Sequence, residues 1–130
     1  MTYLLLCLIN TVFASPVREM NLKPNDVGAI HTAFGYSTVI QFPEKPMNVV
    51  LGDQTAFRIE FIKDSITIKP TGVGLKTNLF VFTDNDRFNL TIESGERSKA
   101  DYVVRVRRRF SDPEKTIQIN GYRTNGNLRL

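Results

Sequence analysis

The strongest constraint on the fold of this chain is an alternation of apolar and polar side chains with a period of two, running from Tyr36 to Phe110. Stretches 56–62 (AFRIEFI) and 87–93 (RFNLTIE) each place their large apolar residues on one side. Turn-forming pairs such as Gly52-Asp53 separate such segments at intervals of roughly 8–12 residues, and no helical period persists. We therefore predict an all-β fold, an antiparallel β-sandwich of about seven to eight short strands, with a partly open barrel as the alternative.

The composition restricts the chemistry that such a fold could carry. The 130 residues suffice for one domain, and the formal net charge of +4 favours acidic partners. A single Cys excludes a disulfide framework, a zinc ribbon and a CxxC redox pair. A single His argues against a His-based metal site or catalytic triad. We therefore predict no catalytic, cofactor-binding or metal-binding residues, and a protein that is not an enzyme.

The first residues are predicted to be a signal peptide rather than part of the fold. Tyr3–Phe13 form an apolar run that is too short to span a bilayer, and Val12 and Ala14 stand at the two positions that a signal peptidase reads. We predict cleavage after Ala14, export to the periplasm, and a mature chain with neither Cys nor a transmembrane segment. The alternative is a buried N-terminal strand or helix.

The rest of the chain divides into three parts. Residues 15–35 carry little pattern and several turn formers, so they are predicted to be an extended N-terminal arm, to which 27–34 could add one short edge strand. Residues 36–110 are predicted to form the β-sandwich domain. Residues 111–130 are predicted to be a polar C-terminal tail that could supply one more strand.

The most unusual charge pattern lies in the last predicted strand, which reads DYVVRVRRRF. With a period of two, Arg105, Arg107 and Arg109 project from one face, and Arg108 interrupts the other. Cations roughly 7 Å apart along a strand repel one another unless acidic groups oppose them. Three interpretations stay open: a solvated or acid-paired outer face, an interface for an acidic neighbouring subunit, and a contact with nucleic acid or lipopolysaccharide. We take Arg105, Arg107 and Arg109 as the candidate interface. No nucleic-acid binding is expected, because no exposed aromatic stacking set accompanies them.

A second polar cluster, Asp84-Asn85-Asp86, resembles a fragment of a calcium loop. An EF-hand loop needs Gly directly after the third acidic position, whereas Arg87 and Phe88 follow here. Asp and Asn also favour tight turns, because they hydrogen-bond their own backbone. We therefore predict a hairpin turn at these residues rather than a calcium site.

A series of short motifs between Thr38 and Phe110 follows a recognisable order. These motifs are Gly52-Asp53, Ile68-Lys69-Pro70, Thr77-Asn78-Leu79, Thr83-Asp84, Arg87-Phe88 and Tyr102-Val103-Val104. In this order they resemble the amino-terminal domain of the TrbG/CagX family, the ninth VirB subunit of type IV secretion systems. The resemblance covers over half of the chain, and it rests on the ordered set rather than on any single motif.

The resemblance implies a role and a set of partners. Members of that family are exported to the periplasm and assemble into a ring with other subunits of a core complex that bridges two membranes. Their amino-terminal domain is a β-sandwich, and they are not enzymes. This implies a structural subunit of a type IV secretion core complex, with other core subunits and copies of itself as partners and a peripheral association with the cell envelope.

Two further expectations follow. Because the sequence reaches only Leu130, we expect a short form without the carboxy-terminal domain that docks a small lipoprotein in other members. The alternative function is a free periplasmic binding module for an anionic glycan, a lipid or an acidic protein. Such a module would be a monomer with a concave basic pocket, and its binding of polyanions would weaken with salt.

Overall fold

The computed structural model describes residues 16–110, and these fold into two β-sheets that pack around one core. A single turn of 3-10 helix lies at Arg97–Lys99. The strands of this region are β1 (Val17–Leu22), β2 (Val27–Thr32), β3 (Thr38–Gln41), β4 (Asn48–Leu51), β5 (Phe57–Ile62), β6 (Ser65–Pro70), β7 (Lys76–Phe82), β8 (Arg87–Ser94) and β9 (Val103–Arg108). The predicted all-β sandwich is confirmed.

The sheets contain five and four strands, in the orders β1-β9-β3-β6-β5 and β2-β8-β7-β4. The pairing is mixed, whereas the sequence predicted a purely antiparallel sandwich. The antiparallel pairs include β5 with β6 and β7 with β8. In contrast, β1 and β3 both lie parallel to β9, and β2 lies parallel to β8. Turn chemistry predicts hairpins, and it carries no signal for parallel neighbours that are distant in sequence.

The structure corrects part of the prediction for 15–35: residues 17–22, expected to lie in an extended arm, form β1, whereas β2 is the short edge strand expected over 27–34. Met20, Leu22 and Ile30 point into the core and are buried. Each strand offers few apolar residues and becomes buried only by pairing with β9 or β8, which follow much later in the chain. Gly28 lets β1 and β2 approach closely, because a Cβ at this position would lie 2.3 Å from the Met20 sulfur.

The core lies between the two sheets and follows the alternation seen in the sequence. In β8, Phe88, Leu90 and Ile92 are all buried, and the ring of Phe88 lies 5.3 Å from the ring of Phe42 between centroids. Other fully buried side chains come from both sheets: Ile30, Ile40, Ile66, Ile68, Leu79, Val81, Val104 and Val106. This packing makes the sandwich a rigid body, so its outer faces and edges are the surfaces available for function.

Some of the predictions concern other parts of the chain. The signal peptide, its cleavage after Ala14 and the polar tail over 111–130 lie outside the described residues. Between residues 16 and 110, no helix is long and apolar enough to cross a bilayer.

Candidate functional site

The three predicted interface arginines do not share one environment. Arg105 and Arg107 project from the outer face of β9 beside Glu19 of the neighbouring strand β1. Arg107 Nε donates to Glu19 Oε2 at 2.6 Å, and Arg105 Nη1 donates to Glu19 Oε1 at 3.3 Å. Arg105 also donates to Gln41 Oε1 at 3.1 Å. The hydrogen bond from Arg107 is the main cause that holds the pKa of Glu19 below its usual range.

Arg109 stands apart, because it follows the last residue of β9. Its backbone N–H donates to the Leu22 carbonyl at 2.8 Å. Its side chain is exposed and makes no hydrogen bond or ion pair with any residue between 16 and 110. The next side chain, Phe110, is 77% exposed. An open groove of about 450 Å³ lies here, and it is lined by Asn21, Pro43, Glu44, Asp86 and residues 107–110.

Arg108, which interrupts the apolar face of β9, has a structural role at the end of the sandwich. Its side chain is only 7% exposed, and its guanidinium lies 4.3 Å from the centroid of the Phe88 ring. It binds both carboxylate oxygens of Asp86 and donates to the carbonyls of Lys23 and Arg87. The bond from Arg108 holds the pKa of Asp86 below its usual range, despite partial burial.

The same Asp86 belongs to the predicted hairpin turn, which is confirmed. Thr83 N donates to the Asp86 carbonyl at 2.9 Å, and Asp86 N donates to Thr83 Oγ1 at 3.0 Å, so the segment links β7 to β8. Residues 16–110 contain no group of three or more His, Cys, Asp or Glu side chains that could hold a metal ion.

A second positive surface lies over β5 and β6, and sequence reasoning missed it. Arg58 and Lys69 are paired across the two strands and are both exposed. They line an open cleft of about 510 Å³ together with Phe34 and Tyr36. The guanidinium of Arg97 lies 4.7 Å from the centroid of the Tyr36 ring. No carboxylate among residues 16–110 lies within ion-pair distance of Arg58 or Lys69.

The comparisons with known proteins point to one family. The model of the CagX family, described as conjugal transfer protein, matches residues 15–129.

The chain belongs to the CagX family.

The match covers nearly the whole sequence and includes β1 and β2 as well as the motifs that carried the resemblance. Membership relates this CagX-family chain to conjugation and type IV secretion. A search of curated proteins found no significant match.

The sequence analysis of this CagX-family chain also overlooked Asp101, which joins the two sheets at the edge formed by β1 and β2. Its carboxylate accepts from Arg18 Nε and Nη2, both at 2.8 Å, and from the backbone N–H of His31 at 3.0 Å. Arg18 Nη2 also donates to the Ala29 carbonyl at 2.8 Å. Burial raises the pKa of Asp101, but these hydrogen bonds outweigh it and keep the pKa below the usual range.

No local signal could have revealed this contact, because Arg18 and Asp101 lie at opposite ends of the folded region. The sequence around Asp101 shows only a polar loop before an apolar strand. The contact depends on the parallel pairing of β1 with β9, which brings Val17 opposite Val103. Arg108 and Asp86 are also distant in sequence, and they meet because the end of β9 contacts the turn between β7 and β8.

Proposed function

We propose that this chain is a structural subunit of a type IV secretion or conjugation core complex in the periplasm, and that it acts by protein–protein assembly rather than by catalysis. The observation that carries the proposal is the CagX family match over residues 15–129. The rigid sandwich with charged outer surfaces supports it, because such a body can present fixed contacts to neighbouring subunits. Periplasmic export is expected from the predicted cleavage after Ala14.

The end of β9 is the proposed contact for an acidic neighbour. Arg105 and Arg107 share the single carboxylate of Glu19, so this face keeps excess positive charge. Arg109 adds a further cation whose side chain has no partner between residues 16 and 110. Phe110 beside it is an exposed aromatic side chain that suits the apolar centre of a contact, and the unpaired cation of Arg109 suits the polar rim around that centre. Charge at this position would set the register and the rate of encounter more than the affinity.

The test is a charge reversal at Arg109. Arg109→Glu should reduce the recovery of other transfer-system subunits with the tagged chain from native envelopes, because it repels an acidic partner. Lys76→Glu is the matched control, since it makes the same charge change at an exposed position outside the groove beside Arg109. Both variants should unfold at the denaturant concentration of the wild type. If Arg109→Glu recovers the same subunits as the control, β9 does not form this contact.

The free binding module has one specific observation in its favour. The cleft beside Arg58 and Lys69 is concave and basic, as that alternative requires. The two functions differ in the state of the protein in the envelope. A module of this kind would be recovered alone as a monomer and would bind polyanions in a salt-sensitive manner, whereas a core subunit would be recovered in a large assembly.

A further inference from the structure

We propose that the free edge of β5 accepts an extended acidic segment of another protein, which adds to the five-stranded sheet as a sixth strand. The segment would alternate apolar and acidic residues. The apolar residues would cover the inner side of β5, and the acidic residues would face the cations on its outer side. This surface is separate from the end of β9, so the inference goes beyond the proposed function.

Strand β5 is an open edge, whereas the edge at β2 is closed. At β2, the Ala29 carbonyl accepts from Arg18, and the His31 N–H donates to Asp101. These side chains occupy backbone groups that a new strand would need. Strand β5 pairs only with β6, and no other described element donates to or accepts from the backbone of Phe57–Ile62. Such an edge can pair with an added strand.

The inner side of β5 is apolar and incompletely covered. Phe57 is buried and Ile59 packs against the core, but Phe61, which alternation places on the same side, remains 50% exposed. Natural edge strands are often protected by a Pro or by a charge that points inward. Residues 57–62 contain no Pro, and the charged residues of this strand, Arg58 and Glu60, lie on the outer side.

The outer side of β5 and β6 carries two positive charges that face each other. Arg58 lies directly opposite Lys69, a like-charge pair that destabilises a sheet unless an anion compensates it. Glu60 is on the same face but forms no ion pair with either cation. Elsewhere in this sheet every arginine of β1 and β9 contacts a carboxylate: Arg18, Arg105, Arg107 and Arg108. The two cations over β5 and β6 lack this compensation, so the missing anion is assigned to the partner.

The neighbouring cleft adds the binding pocket for a side chain of the segment. Phe34 and Tyr36 line it together with Arg58 and Lys69, and the ring of Tyr36 already packs beneath Arg97. An acidic segment fits this surface better than a second copy of β5 does. A second copy would bring one carboxylate, Glu60, but also another Arg58, so it would not remove the excess positive charge.

The experiment measures binding of a labelled octapeptide of alternating Val and Glu to the purified chain by fluorescence anisotropy. A peptide of the same composition with the four Glu residues in one block is the control ligand. We expect the alternating peptide to bind more tightly than the control peptide. The double variant Arg58→Glu with Lys69→Glu should lower the affinity for the alternating peptide by about tenfold or more, because two attractions become repulsions. Lys45→Glu with Lys76→Glu makes the same net charge change and should leave binding within about twofold.

Amide hydrogen exchange shows where on the chain the peptide binds. Bound peptide should slow exchange in Phe57–Ile62. Phe61→Lys puts a charge on the inner side of the edge, so it should abolish this protection. Circular dichroism should show that the variant stays folded. Several results would overturn the inference. These are no protection in β5, equal binding of the blocked peptide, equal loss in both double variants, dimerisation through β5, or occupation of this edge by residues 111–130. Preferential binding of inorganic polyphosphate or anionic vesicles would also overturn it.

Discussion

At the scale of single residues, the arginines of β9 differ because the strand turns successive side chains to opposite faces. Arg107 lies on the outer face beside Glu19, where water screens the pair. Arg108 lies under the end of the sandwich, where its charge is nearly excluded from water. The ion pair with Asp86, two carbonyls and the Phe88 ring together replace that water. A sequence of consecutive arginines therefore combines an exposed charge with a buried structural one.

The first prediction concerns Arg108. Arg108→Ala should lower the free energy of unfolding by about 3 kcal/mol, because it leaves Asp86 without its partner and empties a packed site. Arg107→Ala is the matched control, and it should have a much smaller effect since its pair is exposed. Urea denaturation followed by circular dichroism measures both. Equal losses for the two variants would contradict the assignment of Arg108 as the structural residue.

The second prediction concerns acid stability. The pKa values of Asp86 and Asp101 are both lowered in the folded chain. Their contribution to stability is therefore complete above the ordinary carboxylate pKa of about 4 and is lost as the pH falls through the lowered folded values. The urea midpoint should fall steeply below about pH 4. Asp101→Asn should flatten this fall, whereas Asp84→Asn should not. An unchanged acid slope in Asp101→Asn would contradict the account.

At the scale of elements, the pairing of β1 with β9 explains how a row of cations can stay folded. Glu19 lies opposite Arg105 in the register and reaches Arg107 as well. The acid-paired face was one of the three interpretations open from the sequence, and it holds for these two arginines. Arg109 lies beyond the strand and has no such partner among residues 16–110. It is therefore the main candidate among the three arginines for a contact with a neighbouring subunit.

The third prediction tests that pairing. Arg107→Glu should lower the urea midpoint, because it places a carboxylate against Glu19. Adding Glu19→Lys should restore most of the loss, since the pair is re-formed with reversed charges. Glu19→Lys alone should also destabilise, because it leaves three cations together. Failure of the second substitution to rescue the first would show that the two strands are not coupled through these charges.

The elements also show what the sequence could reveal. The alternation in 56–62 and 87–93 predicted β5 and β8, together with the buried face of β8 and that of β5 apart from the half-exposed Phe61. The polar cluster 84–86 predicted the turn before β8. These features depend on residues that are close in sequence. The parallel pairing, strand β1 and the contacts of Asp86 and Asp101 depend on residues far apart, for which a single sequence carries no pattern. The sequence did not indicate that the exposed cations Arg58 and Lys69 are neighbours, because their proximity depends on the register of β5 and β6.

At the scale of the whole molecule, the sandwich carries positive charge on two separate surfaces. One is the end of β9 around Arg109, and the other is the cleft over β5 and β6 around Arg58. A subunit of a ring must offer different surfaces to different neighbours, because ring contacts are heterologous. Two cationic surfaces cannot pair with each other in such a contact, so each of the two proposed contacts needs an acidic surface on a different neighbour. Because the two surfaces are separate, each can be inactivated by charge reversal without changing the other.

The most direct test of the structural role is to purify the tagged chain from native envelopes in mild detergent and to analyse the particle by size and mass spectrometry. The account predicts a large assembly that contains several copies of the chain and other subunits of a transfer system. Arg109→Glu should shift the chain from this assembly toward smaller species, and Lys76→Glu should not. Recovery of the wild-type chain alone, as a monomer by light scattering, would contradict the account.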